Sequence, residues 1–247
     1  MGFVAYQTGN WQWIYRILAI TNAVQFILYL LLSHETLYIR QNNNLTSTLS
    51  RIPSVAFKQV SASPLNFADF WRPLTLFTYP NILLPTIAYT LVFSFAGILL
   101  TVEIPQIFTP AFKFNSQQIG LQFVGMIIGA ILGEQIGGRG SDFIMRPSRS
   151  SSKQKKPEYR LWLSYPGFLC AIVGLIVFCI QTDRAARRGR WDVTPIVGIA
   201  IATFGNQIVT TVVTTYCVDC HAEVAGSIGV FINLVRSTWG FIGMFVF

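Results

Sequence analysis

The chain has 247 residues, of which 52% are hydrophobic, 14% aromatic and 11% charged, and its mean hydropathy is +0.50. Soluble domains average roughly 25% charged residues, so this composition excludes a surface covered by water and implies one covered by lipid. The net charge of +8 sits in loops between apolar runs, which fits the basic inner loops of a membrane protein and not a nucleic-acid surface.

In chain order, Trp13 to Ser33 is an apolar span with Trp11 and Trp13 as interface anchors, and Arg16 lies near enough to its end to snorkel. His34 to Pro80 follows as a polar connector rich in Ser, Thr and Asn, expected to hold short surface helices and to mark a seam between two halves. The second span is read over 82–102, ending at Glu103 and Pro105, with a short outer turn from Pro110 to Ser116.

The third span, read over 118–138, carries Gly125, Gly129, Gly133 and Gly137 at every fourth position, nearly above one another on one helical face. Each internal glycine costs a soluble helix roughly 1 kcal/mol against alanine. A small-xxx-small face that admits a neighbouring backbone in lipid supplies the reason for such a stack. Gly125, Gly129 and Gly133 are therefore expected to pack against another helix.

After it, 139–160 holds seven basic residues and reads as cytoplasmic. The remaining spans are placed at 161–181, 194–216 and 225–247, which makes an all-α membrane protein of about six transmembrane helices. The two long inner loops carry eleven basic residues and the two outer ones five, four of those being arginines between Gln181 and Val193. Both termini then lie outside. Asn44-Leu45-Thr46 is the sole N-x-S/T acceptor in the sequence, and in a cytoplasmic connector it stays unglycosylated. A glycan on Asn44 after synthesis in eukaryotic microsomes would invert this topology.

No nucleophile with a base, phosphate loop or paired carboxylate appears, so an enzyme is not expected. The Cys217-x-x-Cys220-His221 sequence has the c-type haem pattern but would lie in the cytoplasm, and two thiols with one histidine leave a metal site short of ligands. These cysteines read as packed or loop residues, and no cofactor or metal is expected. Cys170 and Cys179 likewise sit in or beside apolar runs, against a secreted disulfide framework.

The residues that call for a polar partner inside the membrane are Glu134, Asn206, Gln207, Asn233 and Arg236, with Thr210, Thr211, Thr214 and Thr215 continuing the stripe. An intramembrane carboxylate is a functional-site candidate, here weighed against a structural hydrogen bond near the boundary. Glu134, one step round from Gly133, is expected to face an interface or cavity. Arg236, at roughly 3 kcal/mol against lipid, is expected to face protein or water.

Several stretches resemble the major facilitator superfamily, in particular the fungal drug:proton antiporter-like transporters. Trp11-Gln12-Trp13 with Glu35-Thr36-Leu37 is similar to that group's helix 6 and its exit. Gly137-Gly138-Arg139-Gly140-Ser141-Asp142 resembles the cytoplasmic turn after helix 8, and Pro157-Glu158-Tyr159-Arg160-Leu161 the start of helix 9. Pro195, Gly198, Gly205-Asn206-Gln207, Tyr216, Asp219 and Cys220 fall as in helix 10 and its exit. His34, Arg139 and Met244 depart from the pattern.

The resemblance implies that the chain covers helices 6 to 11 of twelve. Residues 1–33 would be the last helix of the first half, 34–80 the connector, and 81–247 an incomplete second-half bundle. It further implies a gating role for Gly137, Ser141 and Asp142, and a multi-pass position in the plasma membrane. Small-molecule transport is expected as part of a complete transporter, with pairing to a missing half or self-association. The alternative is a non-transporting remnant that only associates with other membrane proteins.

Overall fold

The computed structural model describes residues 6–7, 9–10, 12–32, 67–145 and 157–246. Most of the connector, Asn44 and the basic stretch 146–156 lie outside them, as do Trp11, His34, Glu35, Thr36 and Leu37. The chain divides into two units, residues 67–247 and the segment before them, with the boundary at Asn66. In the first, helix α1 runs Gln12–Leu32. The second is built of helices throughout its described residues: α2 Phe67–Thr75, α3 Pro80–Phe93, α4 Leu100–Phe112, α5 Ser116–Met145, α6 Ser164–Arg188, α7 Thr194–Cys220 and α8 Ala225–Val246.

The elements stand where hydropathy puts them, but several run further. A π-helical segment, Ser94–Leu99, joins α3 to α4, so one helix continues from Pro80 to Phe112. Glu103 and Pro105 therefore do not end the second span. Pro105 removes one N–H, yet packing beyond it holds the helix on course: Phe108 is fully buried among Phe112, Phe114 and Phe178, and Phe114 meets Trp191 at 6.0 Å. The expected turn at Pro110–Ser116 shrinks to residues 113–115, where Lys113 takes the left-handed conformation at φ 54°.

α5 is 30 residues long, so Gly137, Ser141 and Asp142 lie on its last turns and form no loop. α6 follows a 3₁₀ turn, Pro157–Leu163, and extends past the predicted end to Arg188, placing Arg184, Arg187 and Arg188 on a helix. α7 reaches Cys220, so the C-x-x-C pair sits on its last turn with His221 as the cap residue. At the other end of α7, Asp192 accepts hydrogen bonds from the Thr194 hydroxyl at 2.8 Å and the Val193 N–H at 2.7 Å. These bonds, that to Thr194 foremost, hold its carboxyl below the ordinary range.

Five helices among the described residues are long and apolar enough to cross a membrane: α1, α3 through α4, α5, α6 with its 3₁₀ turn, and α7. α8, the sixth predicted span, has 22 residues, long enough for a span of ~20.

α7 is the centre, with thirteen buried residues, and two seams of small residues grip it. On the first, Gly125, Gly129, Gly133 and Gly137 of α5 meet Ile196, Ala200, Phe204 and Ile208 of α7 in that order, so the two helices run parallel. A Cβ on Gly133 would stand 2.5 Å from the Phe204 carbonyl oxygen, and one on Gly129 would strike the Ala200 carbonyl. On the second, Gly167, Gly174 and Phe178 of α6 meet Val209, Ala202 and Gly198 of α7, and Gly205 meets Ala171, so this pair runs antiparallel. Small residues bring the backbones together and the dispersion contacts of that approach bind the helices in lipid. The opposite side of α5, with Leu121, Ile127 and Ile131 each more than half exposed, is the lipid-facing side.

Candidate functional site

The polar residues of α7 and α8 do not form one stripe. Asn206 is 5% exposed, and its side-chain oxygen has no hydrogen-bond partner among the described residues. It lies beside the π segment: a Cβ on Gly97 would be 3.9 Å from Asn206 Nδ2 and 3.5 Å from the ring of Phe93. π segments inside α-helices are rare and frequently mark functional sites.

Over the Phe93 ring stands Arg236, its guanidinium carbon 4.6 Å from the centroid, with Nη1 donating to the hydroxyl of the buried Tyr89 at 3.2 Å. The arginine is half-buried against protein. Tyr89 and Phe93 were not among the residues singled out in the sequence. Aromatic residues in an apolar span look like core until a cation on another helix is seen to use them.

Gln207 points elsewhere, its Cβ against Gly133 on the α5 seam. The threonines need no outside partner. Thr210, Thr211 and Thr215 return their hydroxyls to the carbonyls of Asn206, Gln207 and Thr211 at 2.6–3.0 Å. Asn233 is exposed on α8. Glu134 is exposed as well, rather than turned into an interface, because Gly133 and Gly137 occupy the face that meets α7. The structure thus places Asn206 beside Gly97 of the π segment and Arg236 over the ring of Phe93, just before that segment, and leaves Glu134, Gln207 and Asn233 apart from them.

A charged cluster ties three helix ends together where the gating turn was expected. Arg160, its side chain 13% exposed, pairs with Asp219 at the end of α7 at 2.9 Å and with Asp142 on α5 at 3.7 Å. Its Nη1 also donates to Ser141 at 3.2 Å. Ser141 and Asp142 therefore act as anchors for Arg160. Gly137 belongs to the packing seam beside Ile208 and Thr211.

The C-x-x-C-H residues disperse. Cys217 is fully buried in the core, while His221 faces Asn81 at 3.3 Å and the ring of Tyr79. All four cysteines are free, and the described residues hold no group of three or more metal-ligating side chains.

Helices gripped through small-residue seams, with lipid-facing sides and charged ties at the helix ends, make this an all-α membrane bundle. Along 95% of its length the chain is 25% identical to the MFS-type transporter penM of Penicillium rubens, covering 46% of that protein. It is 26% identical over 95% of its length to the MFS transporter cpaT of Aspergillus oryzae, covering 48% of it. Over 73% of the chain it is 27% identical to the multidrug transporter DTR1 of Candida glabrata, covering 40% of that protein. No protein-family profile matches the chain, and no solved structure does.

The chain is thus similar to fungal MFS-type transporters and efflux pumps. It spans about half the length of the curated relatives it matches.

Proposed function

We propose that this chain is part of a secondary transporter that moves small molecules outward across the plasma membrane with proton coupling, and that it is inactive alone. The observation that carries the reading is the likeness to transporter chains along 95% of this sequence, at under half of their length. Transporters of this architecture bind substrate between two pseudo-symmetric halves and rock one against the other. The bundle from 67 onward would be one such half, resembling helices 7 to 11, with α1 resembling helix 6 and the intervening connector cytoplasmic. Asn206, beside the π segment, and Arg236, over Phe93, would line the substrate path, and Asn233, exposed on α8, would meet the facing half. The Arg160 cluster would fasten the cytoplasmic end of the half as it moves.

The test is reconstitution of the 247-residue chain into vesicles carrying a proton gradient. The expected result is insertion without substrate-dependent flux, since self-association through small-residue faces brings no gated path. Flux restored by co-reconstituting the complementary helices of a full-length relative supports the transporter reading. Flux by this chain alone, abolished by Gln207→Ala, would falsify its inactivity. Specific capture of another membrane protein, with no flux in any combination, favours the remnant.

A further inference from the structure

Glu103 was read from sequence as the end of a span, and the fold places it elsewhere. The helix from Pro80 to Phe112 has 33 residues, about 50 Å at 1.5 Å per residue, against a hydrocarbon core of about 30 Å. Glu103 lies seven residues beyond its midpoint, Ala96, about 10 Å along the axis, which is within the half-thickness of about 15 Å of a hydrocarbon core centred on that midpoint. It is half-buried and has no ion pair or hydrogen bond among the described residues. Cys179 on α6 is a titratable neighbour within electrostatic reach of the carboxylate, and a thiol offers it no positive charge. A carboxylate at this depth without a counter-ion is costly, and ionisable groups kept inside a membrane face a partner, a cavity or an ion path.

Glu103 has the cavity. An open cleft of about 250 Å³ lies between α3–α4 and α8, and Glu103 and Gln106 line it from one turn of α4. Trp239 and Gly240 of α8 close the other side, and Ser94, Phe95, Ile98 and Leu99 of the π segment form its end. A Cβ on Gly240 would strike Ile98, so glycine there lets α8 approach without filling the space. The hydroxyl of Ser94 is already donated to the Thr90 carbonyl at 3.0 Å. The walls are therefore apolar and aromatic around a single negative charge. An inorganic cation of the calcium or magnesium kind calls for six or more oxygen ligands, which this lining does not offer. One carboxylate, one carboxamide and an indole suit a cation whose charge rides on an organic body.

We infer that the cavity between the π segment and α8 binds an organic ammonium cation, with Glu103 as its counter-ion and Trp239 as an aromatic wall. This names a ligand class for a path-lining site within the transport reading above, and it is tested by binding without flux, so either can fail separately.

The probes are phenyltrimethylammonium and its uncharged isostere tert-butylbenzene, titrated against the 247-residue chain in phosphatidylcholine nanodiscs and followed by calorimetry. The cation is expected to bind at least about tenfold more tightly than the neutral probe. Glu103→Gln, checked for folding by circular dichroism, is expected to remove that preference and leave the neutral probe unchanged. Trp239→Leu is expected to weaken the cation more than the neutral probe. Equal affinity of the two probes for the unaltered chain overturns the assignment, and this arm requires no variant to fold. So does an unchanged cation preference in a folded Glu103→Gln.

Discussion

Gly129→Ala is expected to unfold or strongly destabilise the bundle, while Gly138→Ala on the same helix is expected to leave it intact or slightly firmer. Both changes raise helix propensity by about 1 kcal/mol, so propensity cannot separate them. Surroundings do. A Cβ at 129 would run into the carbonyl and Cα of Ala200, whereas nothing lies within 4 Å of one at 138. Backbone cannot swing aside as a side chain can, so α5 must back away from α7 along the whole seam, and overpacking of this kind costs about 1–3 kcal/mol or more. Thermal unfolding in detergent, followed by size-exclusion recovery, reads the difference. Equal tolerance of the two substitutions would contradict the seam.

Asn206→Leu is expected to move stability the other way. The amide is 5% exposed and its oxygen lacks a partner among the described residues, and a buried polar group in that state costs about 1–3 kcal/mol. Leucine has a similar shape and nothing to desolvate, so the variant should unfold at higher temperature. Asn206→Asp, which adds a charge in the same place, should unfold at lower temperature. A gain with leucine means that the amide is kept for something other than stability, as a residue on a substrate path would be. A clear loss would make Asn206 a structural residue with an unseen partner.

The first seam was legible because its glycines repeat at a fixed interval of four, which needs no knowledge of the partner. The second was not. Gly167, Ala171, Gly174 and Phe178 mix intervals of four and three and end in a large ring, and only the matching Gly198, Ala202 and Gly205 of α7 reveal them as one surface. Helix ends misled for a related reason. Pro105 and the arginines from Arg184 to Arg188 are local stop signals, and packing around Phe108 on one side and exposure to water on the other carried the helices past them. Arg236 had to face something other than lipid on cost alone, but that its partners are Tyr89 and Phe93 depends on how α8 crosses α3. Glu103 was passed over because a charge beside a proline reads as a boundary.

The most direct test of the central claim, that α5 lies parallel to α7 in the observed register, is a paired-cysteine cross-link. In a chain whose four native cysteines are replaced by alanine, Gly137→Cys is combined with Thr211→Cys. A Cβ at 137 stands 3.3 Å from that of Thr211, close to the roughly 3.5–4.5 Å of a disulfide. After oxidation in the membrane and tryptic cleavage within the basic stretch 146–156, the two fragments are expected to migrate together until reduced. The control, Gly138→Cys with Thr211→Cys, is expected to separate without reduction. Cross-linking of the control pair and not of the first would contradict the register, and with it the packing on which the bundle rests.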